Sequence, residues 1–221
     1  MARGRDKPRR DNVRDWIVWH FTHISNIPNI CQQERLLPSS AIQPSRSVAN
    51  KEVKERRTFA VAPDESYPKS TVREHVPFYI AAKSPMLFVV TSSGSDAFKA
   101  PSSELVFFGV VVADLVDAGL TWCFSNGNAA SSYTSFNRDL DQIGNFVDFD
   151  LLCATMWGKT TDDGSRPSRR AAECLVLNEV PLSLISLVAT RTAHTLEKIR
   201  ENFRDDAPRR IFKATDVLFY N

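Results

Sequence analysis

The longest apolar run of the chain, residues 105–112, constrains its fold more than any other feature. It reads Leu-Val-Phe-Phe-Gly-Val-Val-Val, so it is rich in β-branched and aromatic residues and contains no polar residue. An unbroken run of this kind is typical of a strand that is buried on both faces. The run is far too short to span a membrane, which takes about 20 helical residues. The sequence therefore predicts a buried strand here.

Shorter patterns elsewhere predict a mixed fold. Strands are indicated by aromatic and β-branched runs, and helices by apolar residues three or four positions apart. We predict strands over 15–21, 76–80, 86–90, 105–112, 121–124, 172–177, 186–190 and 210–213, and helices over 22–30, 114–118, 129–136, 148–157 and 195–203. Because short strands outnumber helices and do not alternate regularly with them, the predicted class is α+β.

Residues 34–75 are the least regular part of the sequence. They hold many Pro, Ser, Arg and Lys residues and few apolar ones. A connection of this length in a compact domain is usually functional or disordered. We expect residues 1–14 to form a disordered basic arm and residues 15–221 to form a single domain, since a chain of 221 residues suits one compact core.

Charge is distributed locally. The formal net charge is only +2, so the overall charge gives no indication that the chain binds nucleic acid. Basic residues nevertheless cluster at 3–14, 51–57 and 166–170. Any binding to phosphate would have to rest on these local clusters.

Cysteine and histidine spacing gives no indication of a metal site. The four cysteines form no Cys-x-x-Cys pair and have no zinc-finger spacing, which is typical of reduced, buried thiols in a cytoplasmic protein. The charged start of the chain lacks the apolar segment of a signal peptide, and we expect no membrane association. His20 and His23 would point to opposite faces of a strand, so they do not predict a shared metal ion. His20 either bonds to backbone or belongs to a ligand site at the strand end.

Glu173 stands between a polar loop and an apolar strand. A carboxylate at the mouth of a buried strand is costly unless it has a partner. On spacing alone, an ion pair with Arg169 or Arg170 is favoured over a catalytic role.

The charge run at 54–57 has two interpretations. It is either a solvated helix face or, because it lies in a long loop, the source of an arginine that clamps a phosphate or carboxylate.

Common catalytic motifs are missing from the sequence. It contains no phosphate-binding P-loop, no Gly-x-Gly-x-x-Gly after a strand, no Gly-x-Ser-x-Gly and no His-Glu-x-x-His. The familiar nucleotide-binding, serine-hydrolase and zinc-protease patterns therefore do not apply.

Five segments together resemble the motifs of DarT-type toxins. WHFTHISNI at 19–27 matches their "hHhTHhxNh" opening, and ERR at 55–57 matches their ERR or LRR segment. HVPFYI at 75–80 and KSPML at 83–87 together match "VPFYhxxRSPML". SNGNA at 125–129 matches "DGNA", and RAAECLV at 170–176 matches "xxAEhLV". The order and spacing hold over nearly the whole chain.

This resemblance implies an ADP-ribosyltransferase fold, with a split, mostly antiparallel sheet, flanking helices and NAD in a cleft. It implies a toxin that transfers ADP-ribose from NAD to a nucleobase of single-stranded DNA, with thymine favoured and guanine possible. It implies no metal. The implied partner is a macrodomain antitoxin (DarG-like) that removes the modification.

The resemblance also assigns residue roles. By motif position, the catalytic groups are Glu173 and Arg57, the cofactor-binding residues are His20, Thr22, Arg57, Phe78, Tyr79 and Met86, and the DNA-contact residues are Asn128, Arg169 and Arg170. Some members have His at the position of Asn128, so the choice of base stays open. Two alternatives also stay open: an enzyme of the same fold acting on RNA or protein, and an inactive nucleic-acid-binding module.

Overall fold

The computed structural model describes residues 8–48, 55–92, 99–203 and 211–220. Its strands are β1 Ile17–His23, β2 Arg35–Leu36, β3 Ala60–Val61, β4 Ser70–Thr71, β5 His75–Tyr79, β6 Leu105–Val111, β7 Trp122–Ser125, β8 Phe136–Asn137, β9 Glu173–Leu177, β10 Val180–Pro181, β11 Leu187–Thr190 and β12 Ile211–Ala214. Its α-helices are α1 Ile27–Gln33, α2 Pro85–Thr91, α3 Val112–Asp117, α4 Leu140–Phe146, α5 Phe149–Cys153, α6 Arg166–Arg170 and α7 Ala193–Arg200. Short 3-10 helices occur at Val13–Asp15, Ile24–Asn26, Val72–Glu74, Ser102–Glu104 and Leu182–Leu184.

Eight of the strands form one sheet in the order β12-β11-β6-β1-β5-β9-β7-β8. All neighbours in it are antiparallel except β11 and β12, which are parallel. The strands β2 and β10 form one small separate sheet, and β3 and β4 form another. The predicted α+β class with a mostly antiparallel sheet is confirmed.

The central strand β6 is buried along its whole length, as its apolar run predicts. Val106, Phe108 and Val110 belong to the larger hydrophobic cluster on one face of the sheet. Leu105 and Phe107 belong to a second cluster on the other face. Because both faces are covered, β6 has no polar side chain to present to water.

The sheet is split between β1 and β5. These strands pair at one position only, Trp19 with Tyr79, whereas β1 pairs with β6 along all seven of its residues. Pro77 has no N–H to give to a neighbouring strand, and its carbonyl accepts a hydrogen bond from the His20 ring (2.9 Å). The strands therefore separate beyond Trp19 and open a cleft.

Several predicted elements differ from the structure. The strand expected over residues 86–90 is instead part of α2, because Ser84 caps its start by accepting from the Leu87 N–H and Pro85 stands in its first turn. The helix predicted over 129–136 is replaced by turns and β8, because side chains there bond to nearby backbone. The helix predicted over 148–157 ends at Cys153, and α4 and α6 lie outside the predicted elements. Cys153 is exposed, contrary to the expectation of buried thiols.

Residues 8–14 of the basic segment at the start of the chain pack against the domain. The carbonyl of Arg9 accepts a hydrogen bond from the Trp16 indole (2.7 Å), and Val13 is buried. The carbonyl of Arg10 lies so close to Gly144 that a Cβ there would come within 2.0 Å of it. The expected disordered arm is therefore wrong for residues 8–14, and residues 1–7 lie outside the described part of the chain. Among the described residues, no helix is long and apolar enough to cross a membrane.

Candidate active site

A cavity of about 490 Å³ opens where β1 and β5 separate. Its walls come from β1, α1, the connection that follows α1, β5, the start of α2 and the segment around α6. Of the residues proposed from the sequence, His20, Thr22, Arg57, Tyr79, Met86, Asn128 and Glu173 line it. The cleft thus brings together residues that lie more than a hundred positions apart in the chain.

Glu173 is the first residue of β9, and only 1% of it is exposed. Its backbone N–H donates to the Ser125 hydroxyl (3.0 Å), which itself donates to the Gly127 carbonyl (2.7 Å). These bonds fix the start of β9 against the end of β7. The side chain forms an ion pair with Arg57, not with Arg169 or Arg170. The surface ion pair favoured by spacing alone is therefore wrong.

Arg57 comes from the long connection, and 13% of its side chain is exposed where it packs against Glu173. Burial lowers the pKa of Arg57, but the charge of Glu173, that of Tyr79 and the hydrogen bond to Glu173 together outweigh burial, so the pKa is raised. Its carbonyl accepts from the Arg73 N–H (3.0 Å), so the adjacent 3-10 helix holds the backbone in place. Its Nε is buried with no hydrogen-bond partner among the described residues. A buried donor of this kind is costly unless a ligand or water satisfies it.

His20 projects into the cleft from β1. Burial lowers the pKa of His20, the bond to Pro77 opposes this shift, and the charge of Arg57 lowers the pKa further. The Pro77 carbonyl can only accept, so Nδ1 carries the proton and donates to it. The Nε2 atom of the neutral ring is then an acceptor. His20 therefore presents a neutral hydrogen-bond acceptor in the same cavity as a buried cation.

Thr22 and Asn26 anchor the connection that forms one wall of the cleft. The Asn26 amide donates to the Thr22 hydroxyl (2.9 Å) and to the Arg46 carbonyl (2.8 Å), and it accepts from the Arg46 N–H (3.0 Å). Asn26 and Arg46 both line the cavity but were not proposed from the sequence. The Asn in the motif at 19–27 was the available signal, whereas Arg46 lies in a segment without any motif.

Tyr79 and Met86 line the cleft as the resemblance implies, but Phe78 does not. Tyr79 lies directly opposite Glu173 in the sheet and stacks on Phe21 at 5.9 Å. Burial and then the charge of Glu173 raise the pKa of the Tyr79 phenol. Phe78 points to the other side of β5, is completely buried, and only packs its ring against His20 at 5.8 Å. Phe78 therefore lies outside the cavity lining, and its role in binding the cofactor stays a prediction.

The three proposed DNA-contact residues have different surroundings. Asn128 lines the cavity, and its side chain accepts from the Ala130 N–H (3.0 Å). Arg169 is bound to Asp148 (2.9 Å) and Asp163 (2.7 Å) outside the cavity lining, so DNA contact by this residue stays a prediction. Arg170 is only 7% exposed, and it donates to the carbonyls of three residues around the end of α5. These bonds give Arg170 a structural role, and DNA contact by this residue stays a prediction.

His23 does not share a site with His20. Its ring bonds to Ser25 (2.8 Å) and to Glu104 (2.9 Å), away from the cavity lining. Within the described ranges, no group of three or more His, Cys, Asp or Glu residues is arranged to hold a metal ion.

The fold and the cleft together define the class of ADP-ribosyltransferases. A split antiparallel sheet holds a buried glutamate and arginine side by side at the opening between two strands. The comparisons with known proteins bear directly on this class. Residues 19–218 match the family model described as "ssDNA thymidine ADP-ribosyltransferase, DarT". The chain belongs to the DarT family.

Relatives and solved structures agree with this membership. A DNA ADP-ribosyl transferase of Mycobacterium tuberculosis is 52% identical over 194 residues, which cover 87% of this chain and 84% of the relative. One of a Thermus species is 27% identical, covering 82% and 84%. The structure of Thermus DarT with ADP-ribosylated single-stranded DNA has a TM-score of 0.83 at 24% identity, covering 98% of this chain and all of that one. The structure of Thermosipho africanus DarTG with ADP-ribose has a TM-score of 0.70 at 18% identity, covering 92% of this chain and 51% of that one.

Proposed function

We propose that the protein transfers ADP-ribose from NAD to thymine in single-stranded DNA and releases nicotinamide. The observation that carries this proposal is the buried Glu173–Arg57 pair in the cleft of the split sheet. Family membership supports the reaction, and the description of the family names thymidine as the acceptor. Thermus DarT, which shares the fold, has been solved with NAD+ and with ADP-ribosylated DNA.

The cleft suits NAD in size and in chemistry. Its volume of about 490 Å³ falls in the usual range for sites that take ligands of this size. Arg35, Arg46 and Arg57 line it; each is ion-paired with a glutamate, and their remaining N–H groups would bind a pyrophosphate. The unsatisfied Nε of Arg57 and the acceptor Nε2 of His20 are polar groups for a ligand to bind. His20 and Thr22 would hold the nicotinamide end.

Glu173 would assist the first step, which breaks the bond between ribose C1′ and the nicotinamide nitrogen. The bonding electrons leave with nicotinamide, and the ribosyl carbon becomes cationic. A carboxylate that is already held in a water-poor site stabilises that charge without reorganising. The neutral form of His20 also matters here, because a second cation in the cleft would oppose the developing charge.

The second step forms a bond from C1′ to the acceptor nitrogen of thymine. N3 is the one ring nitrogen that the deoxyribose leaves free, and it carries an imide proton. That proton must pass to a base as the bond forms, and Glu173 is the carboxylate in reach. Arg57 then stabilises the negative charge that develops on the base. The products are ADP-ribosylated thymine, nicotinamide and one proton.

Two features favour single-stranded DNA and limit hydrolysis. A thymine stacked in a duplex cannot enter a closed cleft, whereas an unpaired one can. Tyr79 and Met86 provide apolar walls that exclude water from the reactive ribose. Asn128 would approach the base, because it lines the cavity beside the segment that precedes Glu173.

We further propose a macrodomain antitoxin partner and a cytoplasmic location. The match to Thermosipho africanus DarTG supports the partner, since this chain corresponds to about half of that longer chain. NAD and accessible single-stranded DNA occur together in the cytoplasm, which supports the location.

Mass spectrometry of defined oligonucleotides after incubation with NAD tests the proposal. We expect a mass increase of one ADP-ribose on a single-stranded oligonucleotide with one thymine, none on its duplex, and none with the Glu173→Ala variant. Labelling of an oligonucleotide that has guanine and no thymine would move the assignment to guanine. Labelling of RNA or protein instead of DNA would overturn the substrate. Binding of NAD without any transfer would favour the inactive binding module.

A further inference from the structure

A group of exposed and half-buried apolar side chains lies beside the mouth of the cleft. It consists of Phe88, Val89, Met156, Trp157 and Tyr220, here called the aromatic rim. Phe88 is 49% exposed and Met156 is 80% exposed. Large apolar residues exposed singly are ordinary, but a contiguous group of them marks a binding surface.

The rings of the aromatic rim are held in place before any ligand arrives. The Phe88 ring meets Trp157 at 5.9 Å and Tyr220 at 5.4 Å, edge to face in both cases. The Tyr220 hydroxyl donates to the Lys83 carbonyl (2.6 Å), and the Tyr220 ring meets the Trp157 ring at 6.3 Å. Such rigid rings lose little entropy when another flat group stacks on them.

The aromatic rim is continuous with the cavity. Val89 of α2 belongs both to the aromatic rim and to the cavity lining, and Phe88 directly precedes it on the same helix. Arg166 at the start of α6 donates to the carbonyls of Met156 (2.8 Å) and Gly158 (3.0 Å), and α6 itself supplies part of the cavity wall. A molecule that leaves the cavity between α2 and α6 therefore passes over the aromatic rim.

Two lysines accompany the rings. The Lys83 ammonium lies 5.9 Å from the centre of the Tyr220 ring, and Lys159 is exposed two residues after Trp157. Aromatic rings next to positive side chains fit a chain of stacked bases joined by phosphates. They fit an NAD molecule less well, because Phe88, Trp157 and Tyr220 stand outside the cavity lining.

We propose that the aromatic rim stacks a base that flanks the target thymine in single-stranded DNA, and that Lys83 and Lys159 attract the adjoining phosphates. The proposal rests on the proposed function, because it assumes that a DNA strand enters this cleft. The stacking would be tolerant of sequence, since every base has an aromatic face. It would hold the strand while thymine occupies the cavity.

Two substitutions at Phe88 test the proposal with a matched control. Phe88→Leu keeps an apolar side chain of similar bulk but removes the aromatic face, and Phe88→Tyr keeps the face. The Kd for a fluorescent thymine-containing single strand is measured by anisotropy, without NAD, so the result does not depend on catalysis. We expect Phe88→Leu to bind about 5- to 150-fold more weakly and Phe88→Tyr to stay within about twofold of the parent.

The same experiment identifies other outcomes. Equal Kd values for Phe88→Leu and the parent would overturn the proposal, and equal losses in both variants with a lowered Tm would show that Phe88 only packs the fold. A changed affinity for NAD in Phe88→Leu would assign the rim to the NAD site, and a changed oligomeric state in size-exclusion chromatography would assign it to contact between copies. Labelling of thymine by the parent is scored separately. Failure there would overturn the proposed function, while the DNA-binding result would still decide the role of the rim.

Discussion

Replacing Glu173 by Gln removes the negative charge of the cleft while preserving the shape of the side chain. In water, a carboxylate about 4 Å from a developing cation is worth about 1 kcal/mol, but near buried protein groups it is worth about 4 kcal/mol. Glu173 is only 1% exposed, so the larger value applies. In the variant, the ribosyl cation would also face Arg57 without a counter-charge. We therefore expect the kcat of ADP-ribosyl transfer to fall about 10³-fold.

The fold of this variant should survive. The amide oxygen of the introduced side chain still accepts a hydrogen bond from Arg57, so we expect a loss of about 1–3 kcal/mol in unfolding free energy. For a chain of this size, that loss lowers the Tm by roughly 2–12 °C. Thermal melting and single-turnover labelling of a thymine-containing oligonucleotide measure the two effects separately.

The control is Glu197→Gln, the same substitution on α7, where Glu197 forms an exposed ion pair with Arg200 (3.1 Å). This variant should label DNA at the parent rate, because α7 contributes nothing to the cavity lining. A fall of about tenfold or less in Glu173→Gln would refute the electrostatic argument. A collapse of the fold in step with activity would make Glu173 a structural residue.

Further predictions concern pH, Arg57 and Arg170. Burial lowers the pKa of His20 and His75, so the unfolded chain takes up protons before the folded one as the pH falls below 6.5. We therefore expect the free energy of unfolding to be highest above that pH and to decline below it. A flat Tm across this range would contradict the burial of both rings. Arg57→Lys keeps the charge beside Glu173 but loses the planar guanidinium, so we expect about 10²-fold slower transfer with little change in Tm, and equal losses in both would show a structural arginine. Arg170→Met leaves buried carbonyls without a donor and should cost about 3 kcal/mol, or roughly 6–12 °C in Tm. An unchanged Tm with weaker DNA binding would instead favour Arg170 as a DNA contact.

Local patterns predicted much of the sheet. The run at 105–112 is apolar at every position, so burial on both faces followed from the sequence, and β6 is confirmed as the buried strand. The run at 86–90 is also apolar at every position, and it led to the wrong prediction of a strand. An unbroken apolar run fits a strand or a helix equally well, and the cap at Ser84 decides for the helix.

The ion-pair partner of Glu173 could not be predicted from the spacing of charged residues in the sequence. Arg169 and Arg170 are its near neighbours in sequence, yet the first binds Asp148 and Asp163 and the second binds backbone carbonyls. Arg57 reaches Glu173 across 116 positions. An ion pair between distant residues depends on the pairing of strands and the path of the intervening loop, and neither leaves a local pattern.

Local patterns were enough to predict the buried strand and the α+β class, and the order of the motifs was enough to show the resemblance to the DarT-type toxins. The tertiary structure alone decided which side chains share the cleft. Phe78 and Tyr79 are adjacent in one motif, but side chains alternate along a strand, so Tyr79 faces Glu173 while Phe78 lies in the core. A motif records which residues occur together in the chain, whereas the cleft depends on where β1 and β5 separate.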